Sequence, residues 1–539
     1  MTTDTLLRMT GLKIDGRTGD DWQPIVKGVD LELKRGEVLG LIGESGAGKS
    51  TIGLAALAYA RGGCRFSGGE VVFEGTDLLS LSEAGRRRYR GKRIAYVAQS
   101  AAASFNPAHR LGDQFVEMAT THGVMGEKEA ARYAVDLYRR LQLPDPEHFG
   151  RRFPHQVSGG QLQRAMVAMA MACKPDLIVF DEPTTALDVT TQIEVLAAIK
   201  QAIADNGSAA LYITHDLAVV SQVADRIMVL RHGRVVEEGE TRQIVEHPRE
   251  DYTQRLLNVR SLSHEPVEAE RDELLAIDGI TAAYGNQGLI VLDDVSVRLD
   301  RGRTVAIVGE SGSGKSTLAR VVTGLLQPRK GAVRIGGKTL PAGLAARDRD
   351  LLRRVQMIYQ SPDTALNPRQ RVRDIIGRPL GFYLGMDRSK REARVAELLR
   401  LVELTPDFAD RLPGELSGGQ KQRICIARAL AAEPEIVICD EVTSALDQLV
   451  AENVLKLLLR LQKELGLSYL FITHDIATVR AIADDVVVMH RGKIVESGPK
   501  AEIFSPPHAA YTETLLKSVP EMDPDWLDRL LAERRASAA

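Results

Sequence analysis

The sequence contains few cysteines and no long apolar run. Its four cysteines in 539 residues, at positions 64, 173, 425 and 439, form no CxxC pair and no cluster spaced for metal binding. We therefore expect reduced thiols without a functional role, as in a cytosolic protein. The longest uncharged apolar stretches, such as Ala165–Cys173, fall well short of the roughly 18 residues that a membrane-spanning helix needs.

Charge and the first residues argue against two further classes of protein. A formal net charge of −2 gives no basic footprint for nucleic acid, so no nucleic-acid partner is expected. The opening residues, MTTDTLLRMT, lack a basic region followed by an apolar core, which argues against a secretory signal. The composition is otherwise that of a globular protein of two to four domains.

One unit is written twice along the chain. The segment GESGAGKST at Gly43–Thr51 returns as GESGSGKST at Gly309–Thr317, and SGGQ at Ser158–Gln161 returns at Ser417–Gln420. The polar, Pro-containing segment SLSHEPVEAER separates the two copies. We predict a first domain at 1–260, a linker at 261–271 and a second domain at 272–539 that ends in a C-terminal extension.

Each Gly-rich segment has the context of a phosphate-binding loop. Strand patterns at Val38–Ile42 and Val305–Val308 precede the two segments, and helical patterns at Thr51–Ala58 and Thr317–Leu326 follow them. Glycines let backbone N–H groups turn toward phosphates, and the N-terminus of the next helix adds a favourable dipole. The predicted nucleotide-binding residues are Gly43, Glu44, Ser45, Gly46, Ala47, Gly48, Lys49, Ser50 and Thr51, and Gly309, Glu310, Ser311, Gly312, Ser313, Gly314, Lys315, Ser316 and Thr317.

Within these loops the polar side chains have separate tasks. Lys49 and Lys315 are expected to reach the β- and γ-phosphates, and Ser50 and Ser316 to ligate Mg²⁺. Later apolar strand patterns end in Asp181-Glu182 and Asp440-Glu441. An aspartate at a strand end can hold Mg²⁺ through water, and the adjacent glutamate can polarise an attacking water. Taken alone, such a pair could also simply mark the end of a strand.

The remaining motifs keep a fixed order and spacing in both copies. Each SGGQ lies 23 residues before its Asp (158 to 181, and 417 to 440), and a histidine follows 34 residues after that Asp. These histidines are His215 and His474, and the apolar runs IAYVAQ and VQMIYQ end in Gln99 and Gln360. A lone histidine after a strand is usually structural, but a common register with the other motifs in two copies favours a functional role.

At these residues the chain resembles the ATP-binding-cassette (ABC) family over essentially its full length. The resemblance implies an α/β fold: two tandem P-loop NTPase domains, each with a mainly parallel core sheet, a small antiparallel β portion and a helical subdomain. It implies ATP and Mg²⁺ as cofactors and ATP hydrolysis as the activity. It also implies that the two cassettes of one chain pair head to tail, each loop receiving the SGGQ segment of the other cassette.

The resemblance assigns a role to each remaining motif residue. Glu182 and Glu441 would be the catalytic carboxylates, His215 and His474 would contact the γ-phosphate, and Gln99 and Gln360 would sense Mg²⁺ and the attacking water. Asp181 and Asp440 would complete the metal site. The γ-phosphate would be capped on the Lys315 side by Ser158, Gly159 and Gly160, and on the Lys49 side by Ser417, Gly418 and Gly419. Gln161 and Gln420 of the same segments would also belong to the nucleotide sites.

The two copies differ at the position of the aromatic residue that contacts adenine in this family. The aromatic residue that stacks on adenine in the family matches Tyr284 in the second cassette, whereas Gly16 stands at that place in the first. Trp22 could take over the aromatic role or could be an apolar anchor of a β-hairpin, and the sequence leaves both open.

Further motifs resemble the ATPases of oligopeptide, dipeptide and nickel importers in particular. Each cassette carries FNP or LNP shortly after its glutamine, and ends in HPREDYTQRLL or PPHAAYTETLL. The cysteine cluster that many of these relatives carry after this motif is absent. The expected partners are two transmembrane permease subunits and an exported solute-binding protein, with the chain peripheral on the cytoplasmic face of the inner membrane. An exporter motor and a soluble tandem ATPase that acts on ribosomes or DNA stay open as alternatives.

Overall fold

The computed structural model describes residues 4–184, 187–258, 264, 271–285, 288–444 and 446–538. The Cα packing divides the chain into a first unit, Met1–Asn258 with Pro520–Ala539, and a second unit, Val259–Val519. Of the predicted linker 261–271, all but His264 and Arg271 lies outside the described residues. Among the described residues no helix is both long and apolar enough to cross a membrane.

The first unit is built from ten strands and eleven helices in the described part of Met1–Asn258. Its strands are β1 Thr5–Thr18, β2 Asp21–Lys34, β3 Val38–Gly43, β4 Cys64–Phe73, β5 Thr76–Asp77, β6 Ile94–Val97, β7 Leu177–Asp181, β8 Ala209–Ile213, β9 Arg226–Arg231 and β10 Arg234–Glu240. Its helices are α1 Lys49–Ala55, α2 Glu83–Arg87, α3 Ala101–Ser104, α4 Leu111–Thr121, α5 Glu127–Arg140, α6 Pro146–Phe149, α7 Gly159–Ala170, α8 Val189–Asn206, α9 Leu217–Val220, α10 Thr241–Glu246 and α11 Asp251–Asn258.

The second unit repeats this order of elements, except that a 3-10 helix, Pro406–Asp410, stands in the place of α6. Its strands are β11 Glu273–Ala283, β12 Ile290–Asp300, β13 Thr304–Val308, β14 Lys330–Ile335, β15 Lys338–Thr339, β16 Val355–Ile358, β17 Ile436–Asp440, β18 Ser468–Ile472, β19 Asp485–His490 and β20 Lys493–Pro499. Its helices are α12 Lys315–Val322, α13 Arg349–Arg354, α14 Pro362–Ala365, α15 Val372–Leu384, α16 Arg388–Leu401, α17 Gly418–Leu430, α18 Gln448–Leu465, α19 Ile476–Ile482, α20 Lys500–Ile503 and α21 Ala510–Lys517.

Each unit combines a mainly parallel six-stranded sheet with a four-stranded antiparallel sheet. The first unit orders its strands β10-β9-β3-β8-β7-β6 and β2-β1-β4-β5, and the second orders them β20-β19-β13-β18-β17-β16 and β12-β11-β14-β15. The central strands are entirely buried, as the continuous apolar runs of the sequence predict for a parallel sheet covered on both faces. The predicted α/β fold with two tandem cassettes is confirmed.

Each unit also contains the helical subdomain that the family resemblance implies. Helices α5 and α16 each belong to a helical layer that lies in sequence between strand β6 or β16 and the following SGGQ segment. In the second unit this layer shares one core with the parallel sheet, since Ile376, Leu380 and Leu398 are buried in the same cluster as Val437 and Phe471. The SGGQ segment forms the start of the helix that follows, which is α7 in the first unit and α17 in the second.

The last helix of the chain packs with the first unit, although it follows the second unit in sequence. Helix α22, Trp526–Ala538, follows the second cassette in sequence, but its segment belongs to the first compact unit. The Gln222 amide donates to the carbonyl oxygens of Glu521 (2.9 Å) and Asp523 (3.0 Å), and its oxygen accepts from the Leu527 N–H at 3.0 Å. Gln222 and Leu527 are fully buried there. The equivalent of Gln222 in the second cassette is Ala481, which has no amide to offer.

Replacing Gln222 by Ala, the residue of the second cassette, is expected to loosen this C-terminal segment. The change removes one acceptor and one amide donor, and it leaves the Leu527 N–H buried without that partner. Hydrogen exchange of residues 520–538 should rise by about tenfold, and the free energy of unfolding of the first unit should fall by about 1–3 kcal/mol. The Arg535→Ala variant, changed on the exposed side of the same helix, is the control. Unaltered exchange in Gln222→Ala would show that the segment does not depend on this amide.

Candidate functional site

Each Gly-rich loop starts from a glycine that no other residue can replace. Gly43 ends β3 with φ +147°, and a Cβ there would lie 2.1 Å from the carbonyl oxygen of Leu230 on the neighbouring strand β9. Gly309 repeats this with φ +149° and the carbonyl oxygen of Met489 at 2.1 Å. The loop therefore leaves the central strand in tight contact with its neighbour, which fixes where the loop begins.

A buried lysine closes each loop. The Lys49 ammonium donates to the carbonyl oxygens of Gly43 (2.7 Å) and Glu44 (2.9 Å), although its side chain is almost inaccessible to solvent. Lys315 makes the same two bonds, at 2.7 Å each, to Gly309 and Glu310. A buried ammonium inside a ring of backbone groups at a helix N-terminus is the donor arrangement that a polyphosphate requires.

The serine after each lysine meets the aspartate at the end of the neighbouring strand. Ser50 Oγ donates to Asp181 Oδ1 at 2.8 Å, and Ser316 Oγ donates to Asp440 Oδ1 at 3.0 Å. Burial raises the pKa of the Asp440 carboxyl above its usual range. A hydroxyl and a carboxylate side by side supply the hard oxygen ligands that Mg²⁺ prefers, so these residues fit the predicted metal.

A glutamate, a glutamine and a histidine converge beside each aspartate. Gln99 Nε2 donates to Glu182 Oε2 at 2.9 Å, and His215 Nδ1 lies 3.4 Å from the other oxygen of the same carboxylate. In the second unit the corresponding distances are 2.6 and 3.3 Å, between the side chains of Gln360, Glu441 and His474. The structure thus brings together three motif residues per unit that lie far apart in the sequence.

Charge and burial at this cluster favour an ionised pair. Burial alone would raise the pKa of Glu441, but the hydrogen bond and charge of His474 outweigh it, and the pKa is lowered. Burial alone would lower the pKa of His474, but the Glu441 carboxylate outweighs it and the pKa is raised. The pKa of His215 is raised in the same way, against its burial, by Glu182. Glu441 is therefore held as a carboxylate beside a histidine that is biased toward its charged form.

Both glutamates are also strained. Glu182 and Glu441 have φ of +50°, in the left-handed region that non-glycine residues rarely adopt. Their backbone N–H groups are fixed by the carbonyl oxygens of Ile213 (2.8 Å) and Ile472 (2.9 Å) on the next strand. Strain of this kind persists only where the surrounding structure imposes it, and it is concentrated at functional sites.

The SGGQ segments cap the helices that they begin. Ser158 Oγ accepts from the Gln161 N–H (3.3 Å), and the Gln161 side chain accepts from the Ser158 N–H (3.2 Å), which is a reciprocal capping box. Ser417 and Gln420 repeat it. The second glycine has a packing reason, since a Cβ on Gly160 would meet Thr191 Cγ2 at 2.1 Å. The first, Gly159, faces open space, so packing within its unit does not explain it.

The aromatic positions differ between the two units. The Tyr284 hydroxyl shares a hydrogen bond of 3.2 Å with Thr317 Oγ1, at the start of the helix that follows the second loop. Gly16 packs against Ile25, whose Cδ1 would lie 2.5 Å from an added Cβ. Trp22 lies next to the β1–β2 turn, and the Arg65 guanidinium lies 4.2 Å above its ring. This cation–π contact favours the interpretation of Trp22 as a hairpin anchor.

The sequence reasoning missed three tyrosines near the site. The Tyr96 hydroxyl donates to Asp181 Oδ2, whereas the matching residue of the second cassette is Met357, which has no such donor. The hydroxyls of Tyr252 and Tyr511 accept from the backbone N–H groups of the two loops. The repeat of DYT as AYT marked the last two residues as equivalent, but gave no sign of what they touch.

The two glycines of the SGGQ segment should respond differently to alanine. Gly160→Ala forces a Cβ onto Thr191 and should lower the free energy of unfolding by about 1–3 kcal/mol, as overpacking typically does. Gly159→Ala meets nothing within 4 Å and should leave stability unchanged. Thermal melts of the purified chain measure both. Adding Thr191→Ser, which removes the clashing methyl group, should restore part of the loss in Gly160→Ala. No rescue would contradict the proposed clash.

Comparison with known proteins places these sites in a family. Residues 26–185 and 292–444 match the family described as ABC transporter, and residues 495–539 match the one described as oligopeptide/dipeptide transporter, C-terminal region. The glutathione import ATP-binding protein GsiA of Salmonella typhimurium is 37% identical over 562 residues, covering 96% of this chain and 90% of the relative. The oligopeptide transport ATP-binding protein OppD of Mycobacterium tuberculosis is 35% identical over 607 residues, covering 96% and 99%.

A third relative gives the same result. The peptidoglycan transport ATP-binding protein YejF of Agrobacterium fabrum is 38% identical over 528 residues, covering 95% of this chain and 96% of the relative. Fold and comparisons together define an ATPase with two nucleotide-binding cassettes that bind ATP. The chain belongs to the ABC transporter family. The predicted family, fold and enzyme class are confirmed.

Proposed function

We propose that the chain is the ATP-hydrolysing subunit of an ABC importer for oligopeptides, dipeptides or related small solutes. The observation that carries this proposal is that each cassette holds three groups of motif side chains: a buried lysine bonded to its loop, a serine–aspartate pair, and a glutamine–glutamate–histidine cluster. The C-terminal match and the import names of the relatives support the solute class and the direction.

The loop residues perform the binding step. The N–H groups of the Gly-rich loop and the ammonium of Lys49 or Lys315 would hold the phosphates. Ser50 with Asp181, and Ser316 with Asp440, would hold Mg²⁺ between a hydroxyl and a carboxylate. Bound Mg·ATP supplies the electrophilic γ-phosphorus. In the second cassette, Tyr284 would provide a face on which adenine stacks.

The carboxylate cluster prepares the attacking water. The ionised Glu182 or Glu441 would accept a proton from water, because the charge of the adjacent histidine and the amide of the adjacent glutamine hold it as a carboxylate. Gln99 and Gln360 each donate an N–H to one carboxylate oxygen, which orients the other toward the histidine. His215 and His474 would donate toward the γ-phosphate, as the family resemblance implies.

The partners follow from the family. ATP hydrolysis at these sites would drive two transmembrane permease subunits, supplied with solute by an exported binding protein. The chain would lie on the cytoplasmic face of the inner membrane and attach through those permeases. The contact with γ-phosphate that the family resemblance gives to Ser158, Gly159 and Gly160, and to Ser417, Gly418 and Gly419, stays a prediction.

Uptake by cells tests the proposed function. A strain without the chain should lose uptake of a labelled dipeptide, a labelled oligopeptide or labelled glutathione. The wild-type chain should restore uptake, and the double variant Lys49→Ala with Lys315→Ala should not. Accumulation of one of these solutes in the deleted strain would favour an exporter. Unchanged handling of all three solutes would overturn the proposed solute class.

Removing the catalytic carboxylates should separate binding from hydrolysis. Glu182→Gln and Glu441→Gln keep the shape of the side chain but cannot accept the proton, so we expect ATP binding to persist and hydrolysis to fall by about 10²–10⁴-fold in the double variant. ATP turnover of the assembled transporter and nucleotide retention after gel filtration measure the two effects. Turnover near the wild-type rate in the double variant would show that these residues are not the bases.

The missing aromatic of the first cassette predicts unequal affinities. Stacking of a base on an aromatic ring is worth roughly 1–3 kcal/mol, so Tyr284→Ala should weaken ATP binding about tenfold or more in a Lys49→Ala chain, where the first site is silenced. Gly16→Ala should change affinity little in a Lys315→Ala chain, because the far end of the Ile25 side chain can move aside. Trp22→Ala should lower stability without weakening nucleotide binding. Unchanged affinity in Tyr284→Ala would contradict the predicted asymmetry.

A further inference from the structure

A tyrosine of the C-terminal motif reaches the nucleotide loop in each cassette. Tyr252, on α11, accepts a hydrogen bond on its hydroxyl from the backbone N–H of Glu44 at 3.3 Å. Tyr511, on α21, accepts one from the N–H of Glu310 at 3.0 Å. The pairs lie 208 and 201 residues apart in sequence, so this contact is created by the fold in both units independently.

The tyrosine and the lysine hold the two sides of one peptide group. The bond between Gly43 and Glu44 presents its carbonyl oxygen to the Lys49 ammonium at 2.7 Å and its N–H to the Tyr252 hydroxyl. In the second unit the peptide between Gly309 and Glu310 is held in the same way by Lys315 and Tyr511. Since glycine leaves the backbone free to rotate, these two bonds together set the orientation of that peptide.

Each tyrosine ring is itself fixed by the strand next to the loop. The Arg231 guanidinium lies 4.7 Å from the ring of Tyr252, and His490 stacks on Tyr511 with centroids 4.1 Å apart and an interplanar angle of 10°. Arg231 and His490 end β9 and β19, directly after the residues whose carbonyl oxygens press against Gly43 and Gly309. The ring partner differs between the cassettes, whereas the hydroxyl contact with the loop is the same.

Packing of the C-terminal helix does not by itself account for the hydroxyl contact. Thr253 and Leu256 are buried on α11, and Thr512 and Leu515 are buried on α21, so packing of these side chains already holds each helix against its unit. The hydroxyl adds a bond to a polar group of the nucleotide loop, whose N–H would otherwise lack this acceptor. Its effect is therefore expected on the loop more than on the helix.

We propose that Tyr252 and Tyr511 are positioning residues for the nucleotide loops. Each tyrosine orients the Gly–Glu peptide whose carbonyl oxygen binds the loop lysine. The C-terminal helix of each cassette is thereby linked to ATP binding. This inference rests on the proposed nucleotide sites. Loss of one hydroxyl should weaken phosphate binding by about three- to tenfold, the range that corresponds to one net hydrogen bond.

The test uses the full chain and two probes, a fluorescent ATP analogue and inorganic tripolyphosphate as its competitor. Tyr252→Phe is measured in a Lys315→Ala chain, and Tyr511→Phe in a Lys49→Ala chain, so that each reports on one site. Both probes should lose affinity by the same factor, because the loop contacts phosphates and not the base. Tyr469→Phe is the matched control, since it deletes a buried hydroxyl that donates to the Leu458 carbonyl at 2.9 Å away from the loop. It should lower the melting temperature and leave both affinities unchanged.

The outcomes separate this inference from the nucleotide sites on which it rests. Wild-type affinity for both probes in Tyr252→Phe and Tyr511→Phe would overturn the positioning role. A loss for the ATP analogue but not for tripolyphosphate would also overturn it. If Lys49→Ala and Lys315→Ala together left ATP binding intact, the nucleotide sites themselves would be wrong. The two cassettes supply independent variants, so a variant that does not fold leaves the other to decide.

Discussion

The parallel pairing of the central strand with its two neighbours is the constraint on which the site depends. Strand β3 lies between β9 and β8, with β7 beyond, and β13 lies between β19 and β18, with β17 beyond. Parallel strands end at one edge, so the loop after β3, the acidic pair after β7 and the histidine after β8 meet there. The contact of Gly43 with the Leu230 carbonyl holds the loop against that edge.

The strands, the Gly-rich loops and the motif contacts could largely be predicted, because each depends on a short segment of the sequence. Buried parallel strands appear as short apolar runs, and their observed bounds, such as Val38–Gly43 and Thr304–Val308, differ by one residue from the predicted Val38–Ile42 and Val305–Val308. The helix after the first loop begins at Lys49 and not at Thr51, because Gly48 with φ +95° completes the turn and lets the lysine enter the helix. The contacts between Gln99, Glu182 and His215 follow from motif order once the sheet is parallel.

Other features depend on contacts that no local pattern encodes. The left-handed backbone of Glu182 arises from its place between a strand end and the Ile213 carbonyl, and a glutamate carries no propensity for it. The docking of the C-terminal segment on the first unit uses a buried amide, Gln222, which in sequence is an ordinary polar residue after a helix. The contact of Tyr252 with Glu44 joins positions that periodicity treats as unrelated.

The two units share the same motif residues but differ in the side chains that surround them. Asp181 receives the Tyr96 hydroxyl and lies 3.8 Å from the Arg61 guanidinium, whereas Met357 replaces that tyrosine beside Asp440. Tyr284 stands where the first cassette has Gly16. The lysine, serine, acidic pair, glutamine and histidine are present in both. These differences therefore leave each cassette with a full set of reacting groups and predict that the two cassettes differ in their affinity for ATP.

The number of ATP molecules bound per chain tests most directly whether both cassettes form sites. Isothermal titration calorimetry of the full chain, with hydrolysis blocked by omission of divalent metal, measures it. The account predicts that the wild-type chain binds two ATP molecules. The Lys49→Ala chain and the Lys315→Ala chain should each bind one. A single ATP in the wild-type chain, or two in either lysine variant, would contradict it.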